Sequence, residues 1–261
     1  MKKKLPYAYM WLVYAFLYIP IIVVIIFSFN NARFSTDWNG FTLKWYDLLL
    51  KNQPLMDAVM NSLLVAVCAA TLATVMGGLA ALCIHRYKFN GKKILQGSIY
   101  MLTISPDIVM GISLLIFFIS IKVELGFATL LIAHVTLAMP FVTLTVLARL
   151  SEFNENLIEA ARDLGASEVK SFIHVLLPLT APAVAAGWLL SFTLSLDDVL
   201  ISFFVTGPSF EVLPLKIYSM VRHGVKPDIN ALSAIMFGLT LVLVFLAQLL
   251  ARPRKKYVKE D

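Results

Sequence analysis

Six apolar stretches, each close to the length of a bilayer-spanning helix, limit the possible folds of this chain more than any other feature. A helix needs about 20 consecutive apolar residues to cross the hydrocarbon core of a membrane. Of the 261 residues, 59% are hydrophobic, and the mean hydropathy is +0.82, more than a soluble domain of this size carries. The sequence therefore predicts an all-α membrane protein, a single domain over residues 1–261, with six transmembrane helices at about residues 8–29, 59–84, 98–121, 127–148, 181–205 and 231–250.

The distribution of basic residues predicts the orientation of these spans. Fifteen of the 22 Lys and Arg residues fall on one side of the six-span topology, in the two chain ends and in the loops after the second and fourth spans. The other seven are Arg33, Lys44, Lys51, Lys122, Lys216, Arg222 and Lys226. Cytoplasmic loops carry an excess of Lys and Arg, so we expect both termini and the loop at residues 149–180 in the cytoplasm. The net charge of +6 is thus a topology signal, and no aromatic–basic pattern indicates nucleic-acid binding.

The segment from Glu159 to Pro178, EAARDLGASEVKSFIHVLLP, is a charged helix–turn–helix pattern between two apolar spans. Gly165 predicts a break, because a residue without Cβ can adopt a left-handed turn. Ser167 stands where it would cap a second short helix, and Pro178 is expected to end that helix before the fifth span. The spacing alone would favour an ordinary cytoplasmic connector with amphipathic helices.

Three carboxylates fall within the predicted spans, at Asp107, Asp197 and Asp198. An ionised Asp at the centre of a transmembrane helix costs about 2.5–3.5 kcal/mol, so each needs a structural or functional reason. A continuous third span would place Asp107 near the bilayer midplane, on one helix face with Thr103 and Gly111.

The fifth predicted span carries a polar stripe. Its small and polar residues recur at spacings that share one helix face, and they are Gly187, Ser191, Ser195, Asp198 and Ser202. We therefore expect Asp198, together with Ser195, to face a substrate path. Asp197 is rotated by about 100° on an ideal helix, so it is expected at the edge of that path, toward a partner subunit.

The six predicted spans contain no Lys or Arg. Carboxylates without cationic partners in the membrane suit a cationic ligand, whereas a path for anions would offer Arg, Lys or helix N-termini. The alternative is that these Asp residues are protonated or hydrogen-bonded and hold helices together. His134, which also lies within a span, is expected to be a packed residue or one that hydrogen-bonds between helices.

Several motifs of catalysis and metal binding are absent from the sequence. No Walker A pattern, HExxH, CxxC or GxSxG occurs, so we expect a protein that is not an enzyme, holds no metal and binds no cofactor itself. A membrane-embedded enzyme would need a nucleophile–base pair or a metal-ligand set that the sequence does not contain.

Two sets of residues resemble a known family. The residues Glu159, Ala160, Ala161, Gly165 and Ala166, followed by Leu177-Pro178, resemble the EAA loop of the permease subunits of ABC importers, with Val175 in a position usually held by Ile. Three longer stretches resemble the permease subunits of spermidine/putrescine importers, namely residues 17–23 (LYIPIIV), 105–118 (SPDIVMGISLLIFF) and 186–221.

The resemblance implies a type I ABC importer permease fold in the bacterial inner membrane. It also implies that the EAA residues form a coupling helix that docks on a cytoplasmic ATPase. The expected partners are a sister permease, two copies of the ATPase, which bind ATP and Mg²⁺, and an external polyamine-binding protein. Two alternatives stay open from the residues themselves: a permease for another solute, such as a phosphonate or Fe³⁺, and a free-standing proton-coupled carrier with the Asp residues as relays.

Overall fold

The computed structural model describes residues 4–32, 37–154, 156–222 and 227–251, and these residues are mostly helical. One isolated antiparallel bridge joins Asn30 and Phe41. The helices are α1 (Lys4–Phe27), α2 (Lys44–Lys51), α3 (Gln53–Arg86), α4 (Lys92–Ile104), α5 (Asp107–Ser120), α6 (Phe127–Ser151), α7 (Asn156–Asp163), α8 (Glu168–Ser171), a π-helical segment (Phe172–Leu176), α9 (Leu177–Asp197), α10 (Leu200–Val205), α11 (Leu213–Arg222) and α12 (Pro227–Ala251).

Part of the charge pattern that predicts the orientation lies outside the described residues. This applies to Lys2 and Lys3, to the basic residues from Arg252 to Lys259, and to Arg33 and Lys226 in the loops. The orientation of the termini therefore stays a prediction.

The apolar stretches form helices, as predicted, but a count of six spans is not confirmed. Four helices in the described part of the chain are long and apolar enough to cross a membrane: Tyr9–Phe27, Gln53–Arg86, Phe127–Ser151 and Glu168–Asp197. A fifth span is obtained if α4 and α5 are taken together as one bent pair. The predicted sixth span falls in α12 (Pro227–Ala251), within which the residues described together with their side chains include an apolar helical stretch, Pro227–Val242.

The prediction of one continuous helix over residues 98–121 is wrong. The chain bends by 112° between α4 and α5, because Ser105 and Pro106 both adopt extended backbone conformations. A proline disfavours helical geometry in the residue before it and cannot donate a backbone hydrogen bond. Thr103 and Asp107 therefore lie on different helices and do not share a face. The expected position of Asp107 near the bilayer midplane assumed one continuous helix, so it no longer follows.

The fifth predicted span begins earlier and ends earlier than expected. Residues 168–197 form one helical run, so Pro178 does not end the helix. A π-helical segment lies just before Pro178, and in it Leu177 N–H donates to Phe172 O. Its wider turn relieves the clash between the proline ring and the preceding turn, so the helix can continue through Pro178. At the other end the helix stops at Asp197, and Asp198 is extended, with ψ of 120°.

The chain divides into two compact units, one from Met1–Ala58 and Leu215–Leu243 and the other from Val59–Pro214 and Val244–Asp261. In the first unit, aromatic side chains hold the loop after α1. Trp45 Nε1 donates to Asn30 O (2.7 Å), and the Tyr46 hydroxyl lies 2.7 Å from Ser28 Oγ. In the second unit, α6 packs most extensively against α9. A small-residue core lies in this unit and consists of Ala73, Ala81, Ala138, Val142, Val146, Leu150 and Leu176.

Candidate functional site

The EAA segment contains a helix-ending motif that explains its spacing. Helix α7 ends in a left-handed glycine, Gly165, with φ of +83°. Gly165 N–H donates to Arg162 O (2.8 Å) and Ala166 N–H donates to Ala161 O (3.0 Å). This pair of bonds is a Schellman motif, in which the residue at the Gly165 position must reach positive φ. The predicted break at Gly165 is confirmed. Ala161 and Ala166 provide the backbone acceptor and donor of the longer of the two hydrogen bonds in this motif.

The second arm of the turn is capped as predicted. Ser167 Oγ accepts from the backbone N–H of Lys170 (3.4 Å) at the start of α8. Glu168 then joins two basic residues, since its Oε1 accepts from Arg162 Nη2 (2.7 Å) and from Arg86 Nη2 (3.0 Å). Each exposed ion pair contributes little to stability, but together they connect α7, α8 and the end of α3.

The coupling loop, which we define as residues 149–180, is anchored on one side and open on the other. Phe153, Ile158 and Phe172 pack against the core cluster that includes Leu150 and Leu176. In contrast, some large apolar side chains project outward, with Leu164 89% exposed and Val169 66% exposed. Glu159 and Ala160 are also exposed.

The three membrane carboxylates are not equally placed. Asp107 begins α5 and Asp197 ends α9, and both are exposed. Asp107 starts the helix that packs against α10 (Leu200–Val205), and Asp197 lies just before α10 in the chain. Asp198, which the sequence pattern assigns to the path, is only 8% exposed. The burial of Asp198 differs from what a path-facing residue would show, whereas the exposure of Asp197 is compatible with the predicted position toward a partner subunit.

Asp198 has a local structural task. Its carboxylate accepts hydrogen bonds from the backbone N–H groups of Ser202 (2.7 Å) and Ile201 (3.2 Å) at the start of α10. A carboxylate is stabilised there, because it satisfies unpaired N–H groups and complements the helix dipole. The role of Asp198 in a substrate path stays a prediction, and its buried position favours the alternative in which it holds helices together.

His134 bonds between helices, as expected. The imidazole of this α6 residue is 2% exposed. Its Nδ1 lies 2.6 Å from Ser195 Oγ on α9, and its Nε2 lies 3.0 Å from Ser202 Oγ on α10. Ser195, another candidate for the path, is therefore buried and engaged by His134. Sequence reasoning did not identify Ser202 and His134 as partners, because 68 residues separate them.

Asp197 lies at the C-terminal end of α9. The last turn of α9 ends in backbone carbonyl groups without helical partners, and their partial negative charge favours a cation. Asp197 adds a carboxylate at this end of the helix. Among the described residues, no group of three His, Cys, Asp or Glu side chains is arranged to hold a metal ion.

Relatives of known function cover nearly the whole chain. The spermidine/putrescine transport system permease protein PotC of Escherichia coli K12 is 53% identical over 248 residues, which is 95% of this chain and 94% of that protein. The protein of the same name from Haemophilus influenzae is 51% identical, covering 94% and 95% of the two chains. The putrescine transport system permease protein PotI of Escherichia coli K12 is 39% identical, with coverage of 95% and 91%.

Solved structures support the same fold. A chain from a bacterial ABC transporter involved in the import of the acidic polysaccharide alginate superimposes with a TM-score of 0.74 at 18% identity, covering 98% of this chain and 97% of the other. A chain from an amino acid ABC transporter with histidines gives a TM-score of 0.62 at 18% identity, with coverage of 81% and 99%. Residues 73–255 match the family described as the inner membrane component of binding-protein-dependent transport systems, and the chain belongs to that family of permeases.

Proposed function

We propose that this chain is the membrane-spanning permease subunit of an ATP-driven importer of spermidine and putrescine. The observation that carries the substrate class is the pair of exposed carboxylates, Asp107 at the start of α5 and Asp197 at the end of α9. A polyamine has several strongly hydrated ammonium groups, and they leave water only where carboxylates and hydroxyls replace the hydration. The names of the relatives from Escherichia coli and Haemophilus influenzae support the same substrates.

The coupling loop supports a role in energy transfer. Its exposed apolar side chains, Leu164 and Val169, suit contact with a groove on a cytoplasmic ATPase. The helical run of residues 168–197 continues from this loop to Asp197, a length of about 45 Å at 1.5 Å per residue. Movement of the loop would therefore reach the carboxylate pair through one helix, as alternating access between two packings requires. A free-standing carrier has no need of such a loop.

The remaining partners follow from the same proposal. A sister permease provides the other half of the path, a polyamine-binding protein delivers substrate from outside, and two ATPase subunits bind ATP and Mg²⁺. This chain contributes no hydrolytic step. Tight binding of substrate belongs to the external protein, because a permease that holds its cargo strongly cannot release it.

Uptake by the assembled complex tests the substrate assignment. Membrane vesicles that contain the permease pair, the ATPase and the binding protein should accumulate radiolabelled spermidine when supplied with ATP. Unlabelled putrescine should compete, whereas histidine and alginate oligosaccharides should not, because neither offers two or more separated ammonium groups. Accumulation of an anionic solute in place of spermidine would contradict the proposal.

The orientation can be tested by labelling from each side of the membrane. After replacement of the free cysteines Cys68 and Cys83 by alanine, single cysteines are introduced as Ser151→Cys and Ser209→Cys, both at exposed positions. The positive-inside pattern predicts a cytoplasmic Ser151 and an external Ser209. A membrane-impermeant maleimide added to intact cells should modify the cysteine at position 209, and the one at 151 only after permeabilisation. Modification of both from the same side would contradict the predicted topology.

A further inference from the structure

The break between α9 and α10 is held from both sides by one side chain. His134, on α6, binds Ser195 just before the break through Nδ1 (2.6 Å) and Ser202 just after it through Nε2 (3.0 Å). Its Nε2 also lies 3.5 Å from Asp198 Oδ2, at the break itself. Serine hydroxyls both donate and accept hydrogen bonds, so both bonds to the imidazole can form with either neutral tautomer.

Helix α10 cannot hold this geometry on its own. It has six residues, Leu200–Val205, fewer than an isolated helix needs to be stable, so its position depends on tertiary contacts. At its far end, Thr129 Oγ1 donates to Val205 O (2.8 Å). Along its side it approaches α5 closely, since a Cβ on Gly111 would lie 2.8 Å from Phe204 Cδ2 and 3.3 Å from Ile201 Cα. The bonds from His134 connect α10 to α9.

The break decides where Asp197 points. Asp197 is the last residue of α9, and the extended conformation of Asp198 turns the chain immediately after it. If the helix continued without a break, residues 197 and 198 would both belong to α9. The face of the helix on which each lies would then decide whether it is buried or exposed. The clamp formed by His134, Ser195 and Ser202 stabilises the turned form, in which Asp198 is buried and Asp197 is exposed. Asp107 begins α5, the helix that packs against α10.

We propose that His134 is a positioning residue of the cation path: by clamping the break between α9 and α10, it presents the Asp197 carboxylate beside Asp107. The proposal rests on the proposed function for its consequence in uptake, but not for its geometry. His134 itself, being buried, does not contact the substrate. The clamp therefore acts through the position of Asp197.

Crosslinking measures that position without any transport. In a complex that lacks Cys68 and Cys83, cysteines at positions 107 and 197, introduced as Asp107→Cys and Asp197→Cys, are treated with a short bis-maleimide. We expect efficient crosslinking with His134 present and a severalfold lower yield in the His134→Leu variant, which removes both bonds. Ser202→Ala, which removes one hydroxyl, should lower the yield as well. His134→Gln, whose amide can reach the Ser202 side, should restore part of it.

Thr143→Val is the matched control. Thr143 is a fully buried residue of the same helix, α6, and its hydroxyl donates to Met139 O of its own helix. Loss of this hydroxyl should leave the crosslinking yield unchanged. Normal crosslinking in both His134→Leu and Ser202→Ala, in complexes that assemble at normal yield, would overturn the proposal. If His134→Leu fails to assemble, Ser202→Ala decides alone.

Uptake separates the two proposals. In the complex with native Asp107 and Asp197, Ser202→Ala should lower spermidine uptake by about tenfold through loss of a buried hydrogen bond, while Thr143→Val should not. Crosslinking that depends on His134, in a complex that never transports spermidine, would support the clamp and contradict the substrate. Spermidine uptake together with a crosslinking yield that does not change in the His134 variants would support the proposed substrate and contradict the clamp.

Discussion

Replacing both Asp107 and Asp197 by asparagine is expected to lower spermidine uptake by about a hundredfold or more. Asparagine is nearly isosteric, so the change removes charge and little volume. A hydrogen bond to a charged group contributes about 1.5–3 kcal/mol, and about 1.4 kcal/mol corresponds to tenfold in rate. Each single substitution should therefore cost roughly tenfold or more, while assembly and basal ATP hydrolysis persist. The measurement is uptake of radiolabelled spermidine in vesicles, normalised to the amount of assembled complex.

Two other carboxylates serve as comparisons. Asp47, on α2, is exposed and pairs with Lys51 at 2.6 Å, so Asp47→Asn should leave uptake close to normal. Asp198→Asn should have a smaller effect than Asp197→Asn, because the amide oxygen can still accept from one of the two N–H groups at the start of α10. The sequence pattern predicts the opposite order. A larger loss in Asp198→Asn, with assembly intact, would restore Asp198 as the path residue, and wild-type uptake in the double variant would contradict the cation path altogether.

Gly165→Val is expected to uncouple the permease from its ATPase. Gly165 has φ of +83°, and a non-glycine residue in the left-handed region is strained by about 1–2 kcal/mol, more for a β-branched side chain. No atom lies within 4 Å of a Cβ built at this position, so the strain comes from the backbone and not from a steric clash. The turn between α7 and α8 would rearrange, and the exposed side of the coupling loop would lose its shape. Uptake should fall by at least about tenfold, since 1.4 kcal/mol corresponds to that factor.

A substitution series separates conformation from size at the same position. Asparagine tolerates the left-handed region better than other residues, so Gly165→Asn should retain most of the uptake, Gly165→Ala less and Gly165→Val least. The insertion of the chain and its pairing with the sister permease should be unaffected in all three. The measurements are the yield of ATPase that co-purifies with the permease and the hydrolysis that substrate stimulates. Normal values of both in Gly165→Val would show that this turn does not support docking.

Local chemistry was sufficient to predict much of the fold. The long apolar runs predict helices because backbone groups in a bilayer must be satisfied within the segment, and the structure confirms helices at all the predicted spans, though not six complete crossings. The break at Gly165 and the cap at Ser167 depend on residues close together in the chain, so the sequence contains what is needed to predict them. The docking role of Glu159, Ala160, Ala161, Gly165 and Ala166 stays a prediction.

Non-local contacts decided the rest. The bend at Pro106 follows a known local preference, but prolines also occur inside helices here, at Pro20, Pro140 and Pro182. Whether a proline breaks a helix thus depends on whether neighbouring turns and helices satisfy the freed groups. Pro178 shows the same dependence, since a π-helical turn accommodates it.

The sequence alone was sufficient to identify the three carboxylates in the apolar segments. Which of them are buried and which are exposed was decided by the tertiary structure. Composition alone places Asp107, Asp197 and Asp198 in apolar segments without Lys or Arg, which indicates a cationic ligand. Helical periodicity then selects Asp198, because it assumes an unbroken helix. His134 binds residues 61 and 68 positions away and holds the break, which buries Asp198 at the start of α10 and leaves Asp197 exposed. No pattern within one span contains that contact, since it forms only when α6, α9 and α10 are packed together.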